Sequence, residues 1–337
     1  MLRPPEIADA RELNAERFLR DIVLPCRPVV LRGLVSSWPL VSAGRSSPAA
    51  LRDYLLQFDC GGQTEAFVGD RSIAGKYFYG EGLKGFNFER RRTRLAEALG
   101  TMISALDRDE SPSMYVGSLP TDKYLPGLTA HNPMNVLPET IGSRIWLGHA
   151  SNVSPHYDAF DNLACVVAGR RRFTLYPPEA IGKLYVGPLD NTMAGQPVSL
   201  AASSGANEAD FPLFREVRDQ ALRAELEPGD ALYLPKLWWH QVESLSAFNG
   251  LVNYWWDGFS AGPDAPYTSL LLSLITIAER PLPERLAWKA FFDHYVFRSD
   301  GHPLAHLPES QHGLLGPLKP DNYGKIRARI MHLLRGG

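Results

Sequence analysis

Two histidines and one aspartate carry the chemistry this sequence offers. In Ser151-Asn152-Val153-Ser154-Pro155-His156-Tyr157-Asp158 an imidazole and a carboxylate lie two residues apart. On a strand, residues at that spacing face the same side, so His156 and Asp158 can address one point, where a metal ion could sit. A second imidazole comes much later, closing Leu234-Pro235-Lys236-Leu237-Trp238-Trp239-His240. Two histidines and one carboxylate on one face of an octahedron leave three positions open, the arrangement of non-haem Fe(II) oxygenases. Iron that changes oxidation state beside a bidentate co-substrate and oxygen suits hard oxygen and borderline nitrogen donors better than thiolates, and a fourth protein ligand would block it. An isolated His-x-Asp occurs by chance in many chains, so its surroundings decide.

Rigid strands must aim these side chains, and from Ser113 to about Trp256 the sequence has the texture of strands. Short β-type runs alternate with Gly, Pro, Asn and Asp, the clearest being 114–117, 144–147, 163–167, 172–176, 231–234 and 251–255. Their spacing predicts an antiparallel sandwich or barrel. Glu227-Pro228-Gly229-Asp230 is a turn entering the run 231–234, so His240 can come from a neighbouring strand, and 212–226 reads as a helical insert. Residues 1–110 read as an α/β extension, with helices over 14–22, 47–56 and 95–106 and a strand within 28–33; Ser47 and Pro48 are the capping residue and first position of the second helix. The aromatic, Gly-rich passage from Tyr77 to Phe88 carries no assignment. Beyond Pro266 three helices are predicted, over 268–279, 284–297 and 323–334.

His156-Tyr157-Asp158, Asn162, the run Gly169 to Pro178, the turn Glu227 to Asp230, Trp238-Trp239-His240 and Asn253-Tyr254-Trp255 occur in one order. Together they resemble the Jumonji C family, in its cupin-like hydroxylase branch that includes factor inhibiting HIF. The resemblance is specific over about Ser113 to Trp256. It implies a mainly β fold with added helices: a double-stranded β-helix (jelly-roll, cupin-like) core over 111–262, the α/β extension over 1–110, and a C-terminal helical region over 263–337. His156, Asp158 and His240 would be the iron ligands, with 2-oxoglutarate as co-substrate and molecular oxygen as oxidant. Asn162 and Asn253 match amides lining the 2-oxoglutarate pocket, Ser154 a hydroxyl that bonds the co-substrate, and Tyr115 a tyrosine reaching the same carboxylate. Arg171 stands where the branch usually has lysine for the distal carboxylate. A guanidinium can bind a carboxylate bidentately but is longer and differently shaped. The segment at 154–156 is one residue shorter than in factor inhibiting HIF.

Plainer roles compete for several of these residues. Asn162 and Asn253 could satisfy strand-edge backbone groups, and Trp238, Trp239, Trp255 and Trp256 read as core and pocket wall. Among Arg170, Arg171 and Arg172 only one face of a strand can point inward. Arg90-Arg91-Arg92 with Arg94 reads as an exposed loop or helix start, and the remaining histidines, His131 and His149 among them, read mostly as non-functional.

The 337 residues carry 35 basic and 37 acidic side chains, a net charge of −2, so binding driven by counterion release from nucleic acid is not indicated. The longest apolar run, about Leu270 to Ala278, is half what a bilayer requires. Three scattered cysteines, Cys26, Cys60 and Cys165, form neither a disulfide framework nor a metal motif, and a reducing cytoplasm is expected. The expected activity is hydroxylation of a protein or peptide side chain or a small molecule. A cupin-like metal-binding protein without turnover, or a different cupin-type metalloenzyme, is the alternative. The aromatic C-terminal helices suggest a homodimer contact.

Overall fold

Two long strands organise the fold. The computed structural model describes residues 2–10, 13–106, 112–190, 192, 195–202, 208–259 and 262–336. In chain order its strands are β1 (Glu6–Asp9), β2 (Val29–Arg32), β3 (Gln63–Gly69), β4 (Lys76–Tyr77), β5 (Phe88–Arg94), β6 (Ser113–Pro120), β7 (Ser143–His156), β8 (Asp161–Ala168), β9 (Arg171–Tyr176), β10 (Leu222–Leu226), β11 (Ala231–Leu234) and β12 (Trp239–Trp256). β7 and β12 pair antiparallel along their length, with register shifts between His240 and Val242 and between Ser244 and Phe248. Those shifts let each strand serve two layers. The 250–256 part of β12 joins β8 and the order β1-β2-β11-β8-β12-β7-β6-β3-β5, while its 239–244 part pairs with β9, which pairs with β10. The result is a mainly β, cupin-like jelly roll with added helices.

Side-chain alternation decides what each face meets. Ala164 and Val166 on β8, Phe173 and Leu175 on β9, Leu232 and Leu234 on β11 and Leu251 on β12 cluster inside the roll. Leu163, Cys165 and Val167 face the other way into a second, larger core. Every residue of β8 is buried, the apolar run Leu163 to Ala168 on both faces and Asp161 and Asn162 at its start. The helix Pro39–Ser46 lies against that outer face, where a Cβ on Gly44 would come within 2.0 Å of the Val167 carbonyl oxygen.

Several predicted elements take a different form. β7 and β12 run well beyond 144–147 and 251–255, because the polar residues of the site interrupt the apolar pattern without interrupting the ladder. The stretch 212–226 is a turn of 3-10 helix, the short helix Arg215–Arg218 and then β10, whose Leu222, Ala224 and Leu226 have the period of a strand. Arg90 to Arg94 belong to β5, paired with β3, rather than to a loop or helix start. The helix over 47–56 appears with Ser47 accepting from the Ala50 N–H and Pro48 at its first position. β2 pairs with β11 and β3 with β6, so the first hundred residues share the sheet of the core; the division expected near 110 falls among residues outside those described. Residues 1–256 form one compact unit and 257–337 another, the second built on helices Pro266–Thr276, Leu282–Phe292 and Pro320–Leu334.

Candidate metal centre and its cavity

His156 ends β7 and His240 lies at the start of β12, and they are register partners. Between His240–His156 and Val242–Val153, β12 advances two residues and β7 three. This bulge at Ser154-Pro155 resets the alternation, so that both Val153 and His156 line one cavity. Proline is tolerated there because its carbonyl, which accepts from the Ser199 N–H at 2.7 Å, is all the ladder asks of it. Asp158 lies two residues past the strand end, in the connection to β8. It is therefore aimed by its contacts rather than by strand alternation.

Ligand atoms of His156, Asp158 and His240 lie within 4.8 Å of one another. Nδ1 of His156 is 2.9 Å from the Ser154 carbonyl and Nδ1 of His240 is 3.0 Å from that of Trp238. A carbonyl only accepts, so each Nδ1 carries the proton and each Nε2 keeps a free lone pair for a metal. His240 is buried, and burial, reinforced by His156, pulls its pKa down to about 4 against the opposing pull of Asp158. It is neutral near pH 7, as a ligand must be. The Asp158 carboxylate accepts from Trp255 Nε1 at 3.1 Å and from Asn162 Nδ2 at 3.4 Å, and its backbone carbonyl accepts from the Leu237 N–H at 2.9 Å.

Asn162 belongs to a longer relay. Asn253 Nδ2 donates to Asn162 Oδ1 at 3.2 Å, and Trp146 Nε1 donates to Asn253 Oδ1 at 2.8 Å. These amides thus bond to side chains of the site rather than to strand-edge backbone. Arg171 points inward with Phe173 and Leu175, while Arg172 faces out onto Glu225 and Glu243. The Nε of Arg171 has no hydrogen-bond partner, and no carboxylate pairs with the guanidinium among the described residues. Burial lowers its pKa to about 10. A buried cation left unpaired is expensive, and an anionic guest would relieve it.

The cavity encloses about 190 Å³. Tyr115 lines it, stacked on Phe67 at 4.6 Å and edge-on to Tyr77 at 4.7 Å, with burial raising its hydroxyl pKa. Ser154 is buried and contributes its carbonyl to His156; Val153 is its neighbour that lines the cavity. Phe67, Tyr77, Phe88, Trp146 and Trp255 complete an aromatic wall; of these the sequence pointed only to Trp255, as core and pocket wall. His149 is structural, accepting from the Met114 N–H and donating to the Met102 carbonyl, and His131 packs on Phe58.

The donor set of two imidazoles and a carboxylate fits a non-haem iron centre, and the orphaned Arg171 Nε fits a dicarboxylate co-substrate. A model of the cupin-like domain matches residues 15–262. The chain is 28% identical over 277 residues to the human bifunctional peptidase and (3S)-lysyl hydroxylase JMJD7, covering 71% of this chain and 80% of that protein. It is 29% identical over 256 residues to the Arabidopsis thaliana lysine-specific demethylase JMJ30, covering 73% of this chain and 53% of that protein. With the Arabidopsis thaliana lysine-specific demethylase JMJ31 it shares 35% identity over 113 residues, 33% of this chain and 20% of that protein. The chain thus spans a fifth of the length of one of these relatives and about half of another.

Proposed function

The chain belongs to the cupin-like domain family, and from that premise we propose that it is an Fe(II)- and 2-oxoglutarate-dependent oxygenase, a hydroxylase of a protein side chain or a small molecule. The observation that carries this reading is the three-donor centre together with a buried, unpaired guanidinium on the same face of the β9–β12 pair as His240. His156, Asp158 and His240 would hold the iron. Arg171 would take the distal carboxylate of 2-oxoglutarate, with Tyr115, Asn162 and Asn253 as polar neighbours. When bound, iron, 2-oxoglutarate and dioxygen supply the oxidising chemistry, giving succinate and carbon dioxide and leaving one oxygen atom on the substrate. The chain's own work is positioning. Two carbonyls keep the imidazoles in the ligating tautomer, Trp255 and Asn162 hold the Asp158 carboxylate, and the aromatic wall excludes water and seats the apolar part of a substrate.

Anaerobic addition of Fe(II) and 2-oxoglutarate should produce a visible metal-to-ligand charge-transfer band, and admitting oxygen together with substrate should then yield succinate. No band, together with unchanged iron content in His156→Ala and His240→Ala, would overturn the assignment. A band without succinate on any substrate would leave a metal-binding protein lacking turnover.

The same reading includes a homodimer. The helices Pro266–Thr276, Leu282–Phe292 and Pro320–Leu334 contain no buried residue, while Ile275, Leu286, Phe291 and Phe297 are exposed. Helices this short are marginal without a packed face, and a second copy would supply one. Sedimentation at micromolar concentration should give twice the 37.4 kDa chain mass; a monomer overturns it. No helix among the described residues is long and apolar enough to cross a membrane. A reducing cytoplasm suits the exposed thiols of Cys26 and Cys60.

A further inference from the structure

A strongly basic stretch of this near-neutral chain, Arg90 to Arg94, forms a sheet edge that begins at the cavity wall. β5 ends the strand order and, among the described residues, pairs only with β3. Its far side therefore presents backbone N–H and C=O groups of alternate residues to solvent. Alternation puts Phe88, Arg90, Arg92 and Arg94 on one face. Phe88 lines the cavity. Arg90 lies over the ring of Phe67, a second cavity wall, at 5.3 Å, and all three arginines are exposed. Arg90 also pairs with Glu65 of β3, the register partner of Arg92, at 3.7 Å, so a peptide carboxylate would join or displace Glu65 there. Glu89 and Arg91, on the opposite face, pair with each other at 3.8 Å.

We propose that the β5 edge takes up an extended acidic peptide by strand addition, with carboxylates at alternate positions meeting Arg90, Arg92 and Arg94, and that the peptide then runs past Phe88 toward the metal centre. The proposal rests on the hydroxylase reading insofar as the peptide is its substrate, naming the class of protein segment that would carry a side chain to the cavity. Main-chain pairing supplies affinity and register, and the guanidinium row supplies selectivity. Strand geometry spaces same-face residues by about 6.7 Å, so acids at every second position match the row and consecutive acids do not. Charges on an edge strand also serve to block unwanted pairing. A guard accounts for the charge but not for three arginines on the cavity face in line with Phe88.

Fluorescence anisotropy of labelled peptides of about twelve residues tests this without iron or 2-oxoglutarate. A peptide with Glu at alternate positions should bind at least about fivefold more tightly than one of the same composition with its acids clustered. Arg92→Glu, and Arg90→Glu with Arg92→Glu, should weaken it by about tenfold or more, with Arg92→Lys retaining most of the affinity and thermal melting reporting that each variant folds. N-methylation of alternate peptide amides should abolish the preference. Equal binding of both peptides, indifference to charge reversal, or no binding overturns the proposal. So does tighter binding of a single-stranded oligonucleotide of similar length, which would make the row a phosphate site. Peptide binding without a charge-transfer band would sink the oxygenase reading and leave this one standing; a band without peptide binding would do the reverse.

Discussion

The imidazoles of His156 and His240 face each other across β7 and β12 with ring centroids 4.2 Å apart, each anchored through Nδ1 to the carbonyl two residues upstream. Backbone thus presets both Nε2 lone pairs, and no side-chain substitution elsewhere can replace either ring. His156→Ala, Asp158→Ala and His240→Ala should each lower Fe(II) affinity by more than about 100-fold, since loss of a mere supporting residue already costs about 10–100-fold. Metal analysis after anaerobic reconstitution reads the result. Iron content equal to wild type in any of the three would remove that residue from the centre.

Trp255 separates holding a ligand from being one. Its Nε1–H fixes the Asp158 carboxylate at 3.1 Å, so Trp255→Phe keeps the aromatic wall and removes one hydrogen bond. Iron affinity should fall by about tenfold, with a shifted charge-transfer band. An unchanged band position would reduce Trp255 to wall alone.

Arg171 should show opposite signs with and without co-substrate. Its guanidinium is buried with an orphaned Nε, so Arg171→Leu should leave the ligand-free protein unchanged or more stable by about 1–4 kcal/mol. Wild type should gain about 2.7 kcal/mol at a 2-oxoglutarate concentration 100 times its Kd, and the variant nothing. Denaturant unfolding in four conditions distinguishes this from an arginine that only supports the fold, whose removal would destabilise both states.

The buried His240 makes the metal-free protein acid-sensitive. Its folded pKa near 4 lies below the unfolded value of about 6.5, so between those values the unfolded chain binds more protons. Stability should be fully present above about pH 6.5 and fall as the pH drops toward 4, by up to about 3 kcal/mol. His240→Gln should flatten that stretch of the profile. A wild-type profile level from pH 7 to 4 would contradict the burial of a neutral imidazole.

The candidate ligands were legible because His-x-Asp and a later histidine sit among turn and strand signals in a fixed order, and the roll because short β-type runs such as 163–167 and 231–234 lie between turn residues. Two things were hidden. The bulge at Ser154-Pro155 is a matter of pairing between β7 and β12, so strand periodicity read on one chain segment could not show that Val153 and His156 share a face. The wall from Phe67, Tyr77 and Phe88 joins the site through the pairing of β3 with β6 and of β4 with β7, contacts remote in sequence whose local signals are only glycines and aromatics. Arg90 to Arg94 misled for a related reason. Charge favours an exposed loop, whereas an edge strand can carry charge on both faces.

Two glycines test how tightly β6 is tied to the site. Gly148 on β7 is the register partner of Tyr115, and a Cβ there would lie 2.4 Å from the Tyr115 Cβ and 3.0 Å from the Met114 carbonyl oxygen. Gly148→Ala must push β6 off β7 and carry with it the Tyr115 ring, which lines the cavity. Gly44→Ala makes a comparable backbone clash, 2.0 Å from the Val167 oxygen, but on the outer face of β8. Each should cost about 1–3 kcal/mol of stability by overpacking. Only Gly148→Ala should also weaken 2-oxoglutarate binding, read from the charge-transfer band at saturating iron, because His156, Asp158 and His240 stay in place while the tyrosine moves. If both variants weaken it alike, the effect is general loosening of the roll. If neither does, Tyr115 makes no contact with the co-substrate, and its place in the cavity is that of a wall.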